Sequence, residues 1–302
     1  MALIAQSFRS LHQPSVEKTS AAWCHLGLIA FAVLPGCASF ELPEPREPQA
    51  EGKAEQGEGA LPLRASRHLA LGLPEDADPS DEVLLDRGEF VLSYSRTHNA
   101  PNWVAWRLEA ADLGEVERSS SFRADRGLPA GLTPIEPDAF YKSGWDRGHL
   151  CPSEDRTASA AANRQTFIMS NVLPQNPTLN RGSWARLEAD TRAFAQEGQT
   201  VQVLAGALWQ DGAASESRVG GMTIPSRLFK IVVASRGDGQ PESINETDTV
   251  IAVIAANSDA AKGHSWREFQ TSVDAIEEAS GYDFLAELPD TIETALEARS
   301  GQ

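Results

Sequence analysis

The sequence predicts an α+β fold: one domain over residues 67–302, with a central, mainly antiparallel sheet flanked by helices. Two observations carry this. Strand-like runs rich in β-branched and aromatic residues follow one another with few helical patterns between them, so the strand–helix alternation of a parallel α/β fold is missing. In addition, 302 residues with 41% hydrophobic content can bury one sizeable core. No internal repeat is visible.

In chain order, the first element is a leader. The apolar run Leu26–Leu34 is too short to span a bilayer as a helix, which takes about 20 residues. It suits the hydrophobic region of a secretory signal, with Lys18 and His25 on its N-terminal side. Leu34-Pro35-Gly36-Cys37 is similar to a bacterial lipobox. Residues 1–36 are therefore expected to be removed and Cys37 lipidated, and Ala38-Ser39 directs such a lipoprotein to the outer membrane. The alternative is a plain cleaved signal, with a periplasmic or extracellular product; translation from Val16 would shorten the long stretch before the apolar run. Residues 37–66 are rich in Pro, Glu and Gly and poor in large apolar residues. Such a segment buries too little surface to offset its ordering entropy and reads as a disordered tether.

The globular pattern begins near residue 67. Glu89–Ser95 and Trp103–Leu108 read as strands joined by the turn residues of Thr97–Pro101. Further strands are expected at Thr200–Ala205, Leu228–Ala234 and Thr249–Ala255. Between them, Asn180–Glu197 reads as one helix, because Trp184, Leu187, Thr191 and Phe194 recur at helical spacing and Gly198 follows. Val273–Ala279 is a second helix, stopped before Gly281.

Composition sets limits on function. Lys plus Arg number 26 against 43 Asp plus Glu, a formal net charge of -17. Proteins that bind nucleic acid are usually basic, since neutralised phosphates supply much of the affinity, so the overall balance argues against a polyanionic partner. Locally the balance differs. Residues 140–190 carry six basic residues (Lys142, Arg147, Arg156, Arg164, Arg181, Arg186) against five acidic ones. Cys24 and Cys37 fall in or beside the leader, which leaves Cys151 with no partner for a disulfide or a zinc cluster.

The residues that carry chemistry cluster in Gly144-Trp-Asp-Arg-Gly-His149, Phe167–Asn171 and Asn180–Arg192. Arg147 and His149 lie two apart, so on an extended strand they face one side. That pairs a permanent cation with a group that titrates near neutrality. A guanidinium can hold phosphate oxygens while a neutral imidazole takes a proton from water. A surface arginine beside a structural histidine is the plain reading of the same residues. Asn180 offers one hard oxygen, which suits Mg²⁺ when water completes the octahedron. Glu188 lies about 12 Å further along an unbroken helix, too far to grip the same ion directly, unless the helix begins after Asn180. It is expected to act through water on the ion. Arg192, one turn beyond, can pair with Glu188 or reach a phosphate. An exposed i,i+4 pair with a capping asparagine accounts for this helix equally well.

Taken together, these segments resemble the DNA/RNA non-specific endonuclease family of the ββα-metal superfamily, in the branch that includes endonuclease G and secreted cyanobacterial nucleases. The likeness runs through His68–Gly72, Pro101–Trp106, Phe122–Asp125, Leu128–Gly131, Asp146–His149, Asp155–Thr157, Pro174–Pro177, Ser272–Asp274 and Ser280–Leu285. The resemblance implies a ββα-metal nuclease fold and a Mg²⁺-dependent endonuclease acting on DNA and RNA, with Mn²⁺ able to substitute. It makes His149 the general base, Asn180 the direct metal ligand and Glu188 the acid that orders metal-bound water. Arg118, Arg147 and Arg192 match the arginines that hold the phosphate, Asp146 the motif aspartate, and Asn171 a supporting asparagine of the second strand. Cys151 departs from the family pattern and reads as a small packed residue with a free thiol. Two other readings stay open: a catalytically silent, tethered nucleic-acid-binding lipoprotein, and a hydrolase of other phosphodiesters. Whether a protein inhibitor exists is not legible.

Overall fold

The computed structural model describes residues 63–77, 80, 82–209 and 217–301. The leader and the tether up to residue 62, with Cys24 and Cys37, lie outside the described residues. Among the described residues no helix is long and apolar enough to cross a membrane. In chain order the strands are β1 Glu82–Asp86, β2 Val91–Ser95, β3 Ala100–Leu108, β4 Asp146–His149, β5 Val172–Gln175, β6 Thr200–Leu208, β7 Arg218–Val219, β8 Met222–Thr223, β9 Arg227–Ser235, β10 Thr249–Ala256 and β11 Gln270–Thr271. The α-helices are α1 Ala160–Thr166, α2 Pro177–Leu179, α3 Ala185–Gln196, α4 Val273–Ser280 and α5 Asp290–Glu297.

Seven strands form one sheet in the order β1-β2-β3-β6-β9-β10-β11, every neighbour antiparallel, as expected. All five expected strands are present, with β3 starting at Ala100 and β6 running on to Leu208. Side chains alternate across the sheet because the strand period is two. From β3, Val104, Trp106 and Leu108 join one core with Leu173, Trp184 and Leu187, while Trp103 and Ala105 join a second core with Val273, Ile276 and Phe284. Both faces are covered, so β6 is buried along its whole length and reads as a mostly apolar run, with Thr200 and Gln202 its polar members.

The first of these cores carries the unit that matters for chemistry. β4 and β5 pair antiparallel away from the main sheet, with Asp146 opposite Gln175 and His149 opposite Val172. Gly148 is required there, since a Cβ would sit 2.1 Å from the Gln175 side chain. Asn257 ties the pair to the sheet: its Nδ2 donates to the Pro174 and Pro225 carbonyls, each at 2.9 Å, and its Oδ1 accepts from Asn176 N at 2.8 Å.

Two expectations are corrected. The helix expected at Asn180–Glu197 is broken: Asn180–Trp184 forms a widened π turn in which Gly182 leaves helical geometry (φ -109°, ψ -109°), and α3 begins at Ala185. The apolar spacing that supported a helix starts only at Trp184, so nothing in the pattern constrained the first turn. Asn171, expected on the second strand, instead ends the 3₁₀ turn Met169–Asn171 just before β5. Its side chain is used up locally. Oδ1 accepts from Cys151 N at 3.0 Å, and Nδ2 donates to the Cys151 and Thr166 carbonyls at 2.8 and 2.9 Å. Cys151 itself is buried with a free thiol, and burial pushes that thiol's pKa up.

Candidate active site

β4, the π turn and the first turn of α3 surround a cavity of about 380 Å³. Arg118, Asp146, Arg147, His149, Asn180 and Glu188 all line it, together with Phe122, Glu154 and Arg181. Arg192 and Asn171 are not among its lining residues. The same-side prediction for Arg147 and His149 holds: the guanidinium lies 4.4 Å over the Phe122 ring, and the His149 ring is 5.1 Å from it.

His149 is 7% exposed, edge-on to Phe167 at 4.7 Å, and its Nε2 is buried without a hydrogen-bond partner. Burial, reinforced by Arg118 and Arg147, lowers its pKa to about 3. The imidazole is therefore neutral throughout the physiological range. Arg118 lies 5.6 Å from the Phe167 ring, so both cationic side chains are braced by the aromatic residues that enclose the histidine.

Across the cavity, Asp146 organises the π turn. Its Oδ2 accepts from Asn180 Nδ2 at 2.9 Å and from Arg181 Nε at 2.7 Å. Asn180 thus has its amide nitrogen committed, and no described residue donates to its Oδ1. Glu188 is enclosed, and burial raises its pKa to about 7 against the pull of Lys230, whose Nζ lies 3.8 Å from Oε1. An unengaged amide oxygen and an under-compensated carboxylate on one cavity wall are hard-oxygen donors that fit a small divalent cation.

Of the two roles open to Arg192 in the sequence, pairing with Glu188 is not taken up. Arg192 donates to Glu154 Oε2 at 2.7 Å and Asp155 Oδ1 at 3.1 Å, while Glu188 turns toward Lys230 on β9. α3 begins after Asn180, so the straight-helix distance does not apply here, and both Asn180 and Glu188 line the cavity. Sequence reasoning missed Lys230, Glu154 and the two aromatic residues. Lys230 was discoverable as the single charge inside the apolar run of β9. Its ammonium lies 4.8 Å from the Trp184 ring and 5.4 Å from Trp106. Glu154 spans two of the expected phosphate-holding arginines, with Arg118 Nη1 at 3.9 Å from Oε1.

Comparison with known proteins places the chain in a family. A family model described as DNA/RNA non-specific endonuclease matches residues 69–291. A nuclease of Nostoc sp. is 38% identical over 240 residues, covering 78% of this chain and 86% of that protein. The mitochondrial nuclease EXOG of Danio rerio is 35% identical over 229 residues, covering 72% of this chain and 64% of that protein. Among solved structures, a chain of the EndoG/EndoGI complex, described as showing the mechanism of EndoG inhibition, superposes with a TM-score of 0.62. It covers 77% of this chain and 96% of that one at 22% identity, a likeness of fold.

Proposed function

The chain belongs to the DNA/RNA non-specific endonuclease family and is a nucleic-acid hydrolase, and on that premise we propose that it cleaves DNA and RNA with His149 as general base and Mg²⁺ held at Asn180. The observation that carries this reading is the convergence of a neutral imidazole, two arginines and an oxygen donor pair on one cavity. His149 Nε2 is enclosed, so Nδ1 is the ring nitrogen that takes the proton from the attacking water. Arg118 and Arg147 hold the phosphate and balance the negative charge that develops on it. Arg192 belongs to the same clamp at one remove, positioned through Glu154. Asp146 is a positioning residue, since it turns Asn180 Oδ1 outward. Asn171 holds the strand end beside His149.

Asn180 would hold the cation directly, with Glu188 as the acidic partner acting through water. When bound, a divalent ion (Mg²⁺ in our reading, with Mn²⁺ able to replace it) supplies Lewis-acid stabilisation of the phosphorane and the leaving 3′-oxygen. Products then carry 5′-phosphates. Export and attachment through a lipidated Cys37 complete the proposal, supported by the leader pattern of residues 1–37.

The test is digestion of plasmid DNA and of RNA by the purified protein, with Mg²⁺ and with EDTA, beside bis-p-nitrophenyl phosphate. Metal-dependent cutting of both polymers is expected. Binding without cutting would establish a silent binder, and hydrolysis of the small diester alone a different phosphodiesterase.

A further inference from the structure

Next to the catalytic cavity lies a second hollow of about 350 Å³, between the Pro137–Phe140 turn and β4. The two share Asp146 and Arg147, so they adjoin at the strand that carries both residues. Its volume falls in the range of sites for small ligands, about 300–1,000 Å³, which is room for a nucleotide unit and not for a duplex.

Tyr141 stands on its lining with its side chain in solvent. At 77% exposed it is, with Leu84 at 38%, one of two exposed large hydrophobic residues among those described. The segment that presents it is held firmly. Tyr141 N donates to Asp138 O at 2.9 Å, Ser143 Oγ donates to Phe140 O at 2.9 Å, and Phe140 is anchored in the core. Lys142 is kept in the left-handed region at φ 57°, where a non-glycine residue needs surrounding support. Its ammonium lies 5.0 Å from the Tyr141 ring centroid. Asp146 is already bound to Arg181, which leaves Arg147 and Lys142 against Asp138 alone in this hollow. A solvent-facing aromatic ring on a firmly held turn, with an ammonium over it and a guanidinium on the same hollow, supplies the two elements that bind single-stranded nucleic acid, a surface on which bases stack and cations that meet phosphates.

We propose that this hollow is a nucleotide subsite in which Tyr141 stacks an unpaired base of the substrate strand next to the phosphate held at Arg147, while Lys142 neutralises the adjoining phosphate. The inference rests on the nuclease reading. Stacking of this kind tolerates any base, as every base has a π face. It favours unpaired strands, because in a duplex both faces of each base are already stacked.

The test is fluorescence anisotropy of a labelled single-stranded oligonucleotide and of its duplex, in EDTA so that nothing is cut, with the wild type, Tyr141→Ala, Tyr141→Trp and Lys142→Gln. Tyr141→Ala is expected to raise the single-strand Kd by roughly 5–100-fold and the duplex Kd less, with Tyr141→Trp restoring affinity. Lys142→Gln should lower the slope of log K against log salt by about 0.7 on the single strand. An unchanged single-strand Kd for Tyr141→Ala overturns the subsite, as does an equal loss on both substrates that Trp does not restore. Failure of the nuclease reading shows separately, as DNA left uncut by the wild type in Mg²⁺, and leaves the binding result to stand or fall alone.

Discussion

A base at position 149 has to be neutral when the attacking water arrives, and its surroundings secure that at some loss of basicity. Burial and, less strongly, Arg118 and Arg147 hold the His149 pKa at about 3; a phosphate held by the two arginines would offset their share of that shift but not the share due to burial. His149→Ala is expected to lower turnover by about 10²–10⁴-fold with the fold unchanged by circular dichroism. A variant keeping more than about a tenth of wild-type turnover would move the base elsewhere. In the proposed reading, the metal side divides between two residues. Asn180→Ala should raise the Mg²⁺ requirement sharply, whereas Glu188→Gln should cost about 10–100-fold and be partly rescued by excess Mg²⁺ or by Mn²⁺. Equal, unrescued losses in metal titrations would make Glu188 a direct ligand. Its pKa, raised by burial to about 7, adds a pH signature. Below that value a proton competes with the cation for Glu188, so the Mg²⁺ half-saturation should climb as pH falls, by up to about tenfold per unit. Above it the requirement should level off. The climb should vanish in Glu188→Gln, and its persistence there would assign the proton to another group.

At the scale of elements, the site depends on how closely β4 and β5 approach. The pair is short, and Gln175 fills the space that a side chain at position 148 would need. Gln175 is itself fully buried, so it has little room to give way. Gly148→Ala should therefore cost about 1–3 kcal/mol by overpacking and displace the strand that carries Arg147 and His149. Denaturant unfolding beside nuclease assays would check this, and an alanine variant with unchanged midpoint and activity would refute it. The π turn plays the complementary part. A continuous α-helix through residues 180–196 would set Asn180 and Glu188 about 12 Å apart along its axis. In place of that first stretch stands the widened turn, pinned by Asp146 through Asn180 and Arg181, and both residues line one cavity. Such single-turn departures are frequent at functional sites.

For the molecule as a whole, a net charge of -17 opposes encounter with a polyanion, and the cavity lining balances three arginines against Asp146, Glu154 and Glu188, so a phosphate is met by Arg118 and Arg147 at short range only. Screening by salt and Mg²⁺ relaxes the long-range repulsion while leaving the short-range grip in place. Attachment to a membrane would confine such an enzyme to substrates outside the cell. If Cys37 is lipidated, labelled palmitate should enter the protein and Cys37→Ser should abolish the labelling. Unlabelled wild-type protein in the medium would instead establish a plain cleaved signal.

The amino-acid sequence by itself determined the sheet and singled out six of the residues that line the cavity. Long buried strands announce themselves as apolar runs, and Asp146-Arg-Gly-His149 places its arginine and histidine on one side through the two-residue period of a strand. Local patterns of this kind depend only on neighbours in the chain, so they survive without the rest of the molecule. What tertiary structure alone decided are relations between distant segments. Arg192 turns to Glu154 and Asp155 in place of Glu188, Lys230 comes up from β9 beneath Glu188, and Phe122 and Phe167 enclose the histidine. The break at Asn180–Trp184 belongs here too, because it is held by Asp146, which lies 34 residues earlier in the chain. None of these leaves a periodic trace. Each is a choice among partners that the three-dimensional packing brings within a few ångströms, and the relative cost of leaving a buried charge unpaired settles which partner wins.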